Sequence, residues 1–457
     1  MKAKHAQEIA DAIGGTIVKG SPETAAHSVC VDSRSAEAGS IFFALKGEFT
    51  DGHLYISNAY EAGSAIAIVQ RPDESSEICQ IQVPDTYKAL QDLARAHYRQ
   101  FSIPAIAVTG SSGKTTTKDL LASLLSQKYI TMKTPGNLNS QTGVPLSIFQ
   151  MESSDEIAVF EVSMSNTGEI LPNVEILRPD TVIITNIGVA HIEFLGTREN
   201  IFKAKKESLA YLEPEGLAIV NGEDDFLGNM SLEAGKLCKV GIDSGDFTAY
   251  EIRMGPQGSE FSINIGGKEE RFCFGLAGRH FIIDCLLAIR AALHYGLSAD
   301  QIRAGLDSFE PSDKRMQSEQ IAGICLINDT YNANPASMKA SIDSLMLTAG
   351  GSISVAVLGD MYELGKDQYE MTKEVGAYCA NAGLAVLIAA GESAGAFIEG
   401  YRNAGGKGAA YSLDSYAEIA EKAVGAASGG GAILFKASRG MGFEEIYNIA
   451  SERLHNE

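Results

Sequence analysis

Short continuous runs of apolar, largely β-branched residues recur from Thr86 onward, separated by segments whose apolar positions repeat with a helical period. The runs "AIAVTG", "EIAVFEVS", "TVIITNIG" and "GLAIVNGED" show no polar alternation. Both faces of such strands must be covered, which predicts a parallel sheet with helices on either side. Near residues 312–317, "SDKRMQ", the rhythm restarts with "ICLIND", "SISVAVLGD", "LAVLIAAG" and "GAILFKAS", each followed by a helical stretch such as "PASMKASIDSLM" or "FEEIYNIASERLH". Before Thr86, strand-like "SIFFALKG", "SAIAIVQ" and "CQIQVP" stand with little helix between them. The chain therefore reads as α/β with three domains: a small α/β N-terminal domain over 1–84, a central parallel-sheet, nucleotide-binding domain over 85–311, and a C-terminal doubly wound, Rossmann-like domain over 312–457. Ligands are expected where the strands end, at the carboxyl edges of the sheets.

Composition narrows the partners. The 457 residues contain 37 Lys and Arg against 58 Asp and Glu, a net charge of −21. That balance disfavours nucleic acid and anionic membranes, which reward a basic surface, but leaves room for an anionic small substrate held in one pocket. The seven cysteines are scattered without a pair at zinc or redox spacing, as expected for a reducing cytoplasm. The N-terminus lacks a signal-peptide core, and the longest apolar runs are strand-sized, so a cytoplasmic monomer with no membrane insertion is expected.

The chemistry is concentrated in "VTGSSGKTTT", residues 108–117. The usual phosphate loop has a glycine five positions before Gly113, where this chain has Val108. The context is nevertheless strand, glycine turn, helix, in which backbone N–H groups and a helix N-terminus face an anion. Gly110, Ser111, Ser112, Gly113, Lys114, Thr115 and Thr116 would cradle ATP's phosphates, with Lys114 on the β- and γ-phosphates and the Thr115 hydroxyl on Mg²⁺. The bland alternative is a glycine turn with a surface lysine. Glu161, ending "AVFE", and His191, following "VIITNIGVA", extend the theme of polar groups at strand ends. Alone, Glu161 reads equally as a salt-bridged strand end and His191 as a structural histidine; their convergence beside the loop is what points to a metal.

The short loop "TGSSGKTT", Glu161 and "TNIGVAHIEFLGTRENIFKAKKESL" together resemble the ATP-dependent Mur ligases and the related folylpolyglutamate synthetases. "DSRSAEAGSIFFALKGEFTDGH", residues 32–53, is similar to the UDP-sugar-binding domain of the later Mur enzymes. "NDTYNANPASM", "LGDMYELG" and "KASRGMGFEE" resemble the branch that joins D-alanyl-D-alanine to UDP-N-acetylmuramoyl-tripeptide in peptidoglycan precursor synthesis, and the resemblance covers nearly the whole chain. It implies phosphorylation of the donor carboxylate by ATP and attack of the dipeptide amine on the resulting acyl phosphate. It also implies that Thr115 and Glu161 bind a first Mg²⁺ and His191 a second, and that Lys205 is a further metal ligand. Lys205 matches a lysine that many Mur ligases carry as a carbamate, while Lys203 and Lys206 read as a solvated helix face. By the same resemblance Asn137 lies near the reacting phosphate, Arg315 and Asp329 contact the nucleotide, and Asn332, Asn334 and Arg439 serve the acceptor. Ser33, Arg34, Lys46 and Asp51 are the candidates for the UDP-sugar end. For Asn137 and Lys46 the alternative is an ordinary turn residue, and for Arg439 an isolated surface arginine.

Two departures bear on adenine. The family's "GRHN" followed by a second Asn reads "GRHFIID" here, so Phe281 and Asp284 replace two amides and the base contact must come from backbone, Asp284 or stacking. Asn328 stands where an aspartate is usual. The competing readings are another amino-acid-adding Mur ligase, such as the one that adds the third peptide residue, and a nucleotide-switch ATPase. A folylpolyglutamate synthetase is disfavoured because it has no use for the "DSR…ALKGE" domain.

Overall fold

The computed structural model describes residues 1–47, 49–232 and 235–456. Among the described residues three large sheets follow one another along the chain, besides a two-stranded antiparallel pair, Lys4–His5 with Ala25–Ala26. The N-terminal sheet has the strand order Thr16–Lys19, Cys79–Gln82, Ile66–Val69, Ser40–Phe43, Ser28–Cys30, parallel except at the Thr16–Lys19 edge. The helices Ala6–Ile13 and Ile56–Glu61 accompany it. Both are short, which is why the strand rhythm obscured them.

The helix Thr86–Tyr98 links the first sheet to the second. Asp85 caps it by accepting from the amides of Tyr87 and Lys88. Leu90, Leu93 and Ala94 on one face join Ile41, Phe43, Ile66 and Ile68 of the N-terminal sheet in a core that continues into the central domain. The helix also packs on Gly143–Ile148 and Leu171–Leu177 of that domain. Residue 85 is therefore a change of rhythm in the sequence but not a break in the packing.

The four central runs expected as strands are Ala105–Thr109, Ile157–Glu161, Thr181–Ile184 and Leu217–Asn221. They pair in parallel within a nine-stranded sheet, with Thr131–Lys133 at one edge. At the other side Lys236–Gly241 leads to an antiparallel extension, Phe247–Gly255, Gly258–Ile265 and Lys268–Phe274. The C-terminal sheet orders Gln317–Ile321, Ile324–Asn328, Gly431–Lys436, Ile353–Leu358, Val386–Ala389 and Ala409–Ser412; only the first is antiparallel to its neighbour. Helices Pro335–Ala349 and Glu444–Asn456 pack against this sheet with separate apolar clusters, the doubly wound arrangement.

The shared core around Thr86–Tyr98 gives a stability expectation. Leu93→Ala, at a fully buried position, should cost about 2–5 kcal/mol by transfer and cavity terms. Urea unfolding should show the N-terminal and central domains losing stability together; an unchanged midpoint would contradict the shared core.

Candidate active site

Strand Ala105–Thr109 runs into the loop, and Gly113 caps helix Lys114–Leu125 with a left-handed φ of 77°. Gly110 sits at φ 151°, and a Cβ there would lie 1.8 Å from Thr185 Oγ1, so no other residue fits without moving the neighbouring strand end. That strand end holds the loop from below. Asn186 Oδ1 accepts from the Ser112 amide at 3.0 Å, Thr185 Oγ1 donates to the Ser112 carbonyl at 2.5 Å, and the Gly188 amide donates to Ser111 Oγ at 2.9 Å. "TNIG" thus fixes the loop's curvature.

The Lys114 and Lys205 ammonium nitrogens both donate to the Gly110 carbonyl, each at 2.9 Å. Lys205 is buried, whereas Lys203 and Lys206 on the same helix, Arg198–Lys206, are exposed. Burial, then the neighbouring Lys114, drives the Lys205 pKa well below that of an ordinary lysine. Burial also lowers Lys114.

Thr115 Oγ1 donates to Glu161 Oε2 at 2.9 Å, and Glu161 is fully buried at the end of its strand. Two side chains not anticipated from sequence brace this carboxylate. Asn139 Nδ2 donates to Oε1 at 2.7 Å, and the Lys118 nitrogen lies 3.8 Å from Oε2. Asn137 lines the cleft. Thr115 and Glu161 bring two hard oxygens to one point, a donor set that fits Mg²⁺. Among the described residues no three His, Cys, Asp or Glu side chains are grouped to hold a metal by themselves. A Mg²⁺ held there would need phosphate oxygens and water to complete its ligands, as it commonly does.

His191 lines the same cleft at φ 63°. Its Nδ1 lies 2.6 Å from Glu363 Oε2 of the C-terminal domain, and this contact holds the Glu363 carboxyl below the usual range. Asp329 Oδ2 takes Ser341 Oγ at 2.7 Å and the Lys436 ammonium at 2.5 Å. Lys436 was missed although a lysine inside the apolar run "AILFKAS" is a visible anomaly. Asn334 Oδ1 caps helix Pro335–Ala349 through the Ser337 amide, and Asn332 lies exposed beside it, its carbonyl accepting from Lys436. Asn328 is turned onto Thr330. Asp360, a strand end in the same domain, has both oxygens taken by the Glu392 and Ser393 amides and serves as a brace.

Thr116, Arg315, Asp329, Asn332 and Asn334 line one cleft of about 340 Å³ together with the phosphate loop and Glu161. Arg439 is exposed outside that lining. The UDP-sugar candidates form a separate group. Ser33 and Arg34 follow one N-terminal strand and Lys46 follows its parallel neighbour. Arg34 is gripped by Asp32 at 2.6 Å, and Asp51 is committed to His53 at 2.7 Å and Arg71 at 2.6 Å. Glu48, between them in sequence, lies outside the described residues.

The two adenine-side departures from the family's pattern, Phe281 and Asp284, have different fates. Phe281 packs between His280 and Phe274. Asp284 is buried under the phosphate loop, accepting from Thr117 Oγ1 at 3.1 Å, and a Cβ on Gly113 would meet its Oδ1 at 2.7 Å. It supports the loop helix from beneath. Burial pushes its pKa up to about 8, so the neutral acid predominates at pH 7.

Comparisons with known proteins agree with this geometry. The family description "Mur ligase family, catalytic domain" matches residues 25–98, "Mur ligase middle domain" residues 108–292, and "Mur ligase, glutamate ligase domain" residues 314–439. The UDP-N-acetylmuramoyl-tripeptide–D-alanyl-D-alanine ligase of Bacillus subtilis is 36% identical over 96% of each chain. The Escherichia coli ligase of the same description is 33% identical over 80% of this chain and 81% of its own. The crystal structure of MurF from Acinetobacter baumannii superposes with a TM-score of 0.90 at 33% identity, covering 99% of both chains.

The Asp284 environment yields a pH expectation. Its carboxyl rises from 3.8 to about 8 on folding. The unfolded chain therefore releases this proton first, and the stability contribution is intact below pH 4 and lost as pH climbs toward 8. Asp284→Asn, which mimics the neutral acid, should remove that slope. Denaturant unfolding from pH 5 to 9 should show the variant gaining on the parent as pH rises; parallel curves would contradict it.

Proposed function

The chain belongs to the Mur ligase family, and on that premise we propose that its cleft turns a donor carboxylate into an acyl phosphate and delivers it to an amine. It is an ATP-dependent ligase that joins D-alanyl-D-alanine to UDP-N-acetylmuramoyl-tripeptide in cytoplasmic peptidoglycan precursor synthesis, and thus serves cell wall biogenesis, cell shape and division. The observation that carries the site assignment is the single cleft lined by both the phosphate loop and the strand ends of the C-terminal domain.

A carboxylate resists attack because oxide is a prohibitive leaving group. Transfer of ATP's terminal phosphoryl group to a carboxylate oxygen makes that oxygen part of phosphate. The dipeptide amine then attacks the carbonyl, the tetrahedral species collapses, and phosphate departs with the C–O bond electrons. The protein's work is alignment and charge neutralisation. Loop amides and Lys114 hold the phosphates, and Arg315 faces them from the C-terminal side. Mg²⁺ bound at Thr115 and Glu161 supplies further neutralisation of the phosphate oxygens. Asn137 and Asn139 flank the reacting end, and Asp329 offers Oδ1 to the ribose. His191, the proposed ligand of a second ion, must leave Glu363 to act. Ser33, Arg34, Lys46 and Asp51 take the UDP-sugar end; Asn332, Asn334 and Arg439 take the dipeptide, whose carboxylate suits a bidentate guanidinium.

The depressed basicity of Lys205 supports its carbamylation. A neutral amine is the nucleophile that adds to CO₂, forming an N–C bond and releasing a proton to solvent. The product exchanges a cation beside the phosphates for an anionic oxygen ligand.

Phosphate release should require ATP and the UDP-sugar tripeptide together and be sustained by D-alanyl-D-alanine. Release independent of the donor would sink the ligase mechanism. Lys114→Ala should lower kcat by about a hundredfold to a thousandfold. Lys205→Ala should be inactive and partly restored by short carboxylic acids that replace the carbamate oxygens; full activity without them would refute its metal role.

A further inference from the structure

Tyr331, in "TYNANP", has no assigned role. The Arg315 guanidinium carbon lies 3.9 Å from its ring centroid and that of Arg439 lies 5.5 Å away. One arginine comes from the junction between the second and third sheets, the other from the end of strand Gly431–Lys436. Nearby cations are paired with carboxylates, Lys314 with Glu444 and Lys436 with Asp329, but neither arginine joins an ion pair among the described residues. In a chain of net charge −21, two guanidiniums left to an aromatic ring keep their N–H edges available for an incoming anion.

The backbone is arranged to keep them there. The Tyr331 amide donates to the Lys314 carbonyl at 3.1 Å. Lys314 and Met316, flanking Arg315, adopt left-handed φ values of 58° and 52°, a costly conformation for side-chain-bearing residues. The Lys314–Glu444 pair at 2.9 Å and the bond from the Lys314 amide to Gln317 at 3.0 Å lock that turn. The Tyr331 hydroxyl has no protein partner among the described residues, so it is the ring face that is used.

We propose that Tyr331 is a positioning residue whose ring holds Arg315 and Arg439 as a coupled pair of anion receptors, one for nucleotide phosphate and one for the acceptor carboxylate. The inference rests on the nucleotide-side and acceptor-side roles given above to the two arginines. It makes the two binding events share one support.

The test uses the full-length enzyme with Tyr331→Leu, which removes the ring, and Tyr331→Phe, which keeps it. Tyr331 is only partly buried, and thermal unfolding of each variant checks that it is folded. Tyr331→Leu should weaken ADP binding by calorimetry and raise KM for D-alanyl-D-alanine, each by about two- to thirtyfold. KM for the UDP-sugar donor should stay unchanged, and Tyr331→Phe should match the parent. The proposal is overturned if Tyr331→Leu changes neither quantity or only one, or if Tyr331→Phe is equally impaired. Arg439→Ala separates the two levels. A raised acceptor KM in that variant with none in Tyr331→Leu overturns the coupling alone, whereas no effect of Arg439→Ala overturns the acceptor role beneath it.

Discussion

The Gly110 carbonyl accepts from Lys114 and Lys205 at once, each at 2.9 Å, and the loop carrying it is pinned by Thr185 and Asn186. Two ammonium groups on one oxygen repel each other, and burial disfavours both charges. The arrangement is at ease only when an anion arrives or one amine stays neutral. Much else follows from this. Glycine is required at 110 because a side chain would strike Thr185. Asp284 lies beneath the same loop, where burial pushes its pKa up to about 8 and favours the neutral acid.

The charge economy of the molecule points the same way. The chain is acidic overall, and among the described residues Lys114 and Lys205 at the loop and Arg315 and Arg439 on Tyr331 are cations without a carboxylate partner. Strain collects at the same place. Of the seven side-chain-bearing residues with positive φ among the described residues, four lie where the central and C-terminal domains meet: His191, Lys314, Met316 and Glu363. Held conformations of this kind persist where the surroundings over-determine them, and they cluster at sites that must grip or switch. The His191–Glu363 contact joins the two domains directly, so on the proposed reading His191 would have to part from a C-terminal carboxylate before it could take a metal.

Much of this was legible in the sequence because it is written in local patterns. Buried parallel strands announce themselves as unbroken apolar runs, and all eight named in the central and C-terminal domains are strands. The strand, glycine turn and helix around residues 108–117 were readable from the local pattern despite Val108. Illegible parts depended on contacts distant in the chain. Asn139 rather than Asn137 reaches Glu161 because of how the segment after Thr131–Lys133 turns, and no spacing rule distinguishes the two. The antiparallel extension over 247–274 carries alternating polar residues that resemble loop. Asp360, at a strand end of the C-terminal domain, caps backbone amides, a role that sequence cannot separate from that of a site residue. Lys436 was the one visible clue passed over, a charge inside a buried strand.

The most direct test follows an oxygen atom. Donor labelled with ¹⁸O in its terminal carboxylate, incubated with the enzyme, ATP and D-alanyl-D-alanine, should transfer label to the released inorganic phosphate, because the carboxylate oxygen leaves as part of it. Mass spectrometry of that phosphate gives the answer. Label in the phosphate is the expected result; amide product formed alongside unlabelled phosphate would contradict an acyl phosphate and with it the role assigned to the whole cleft.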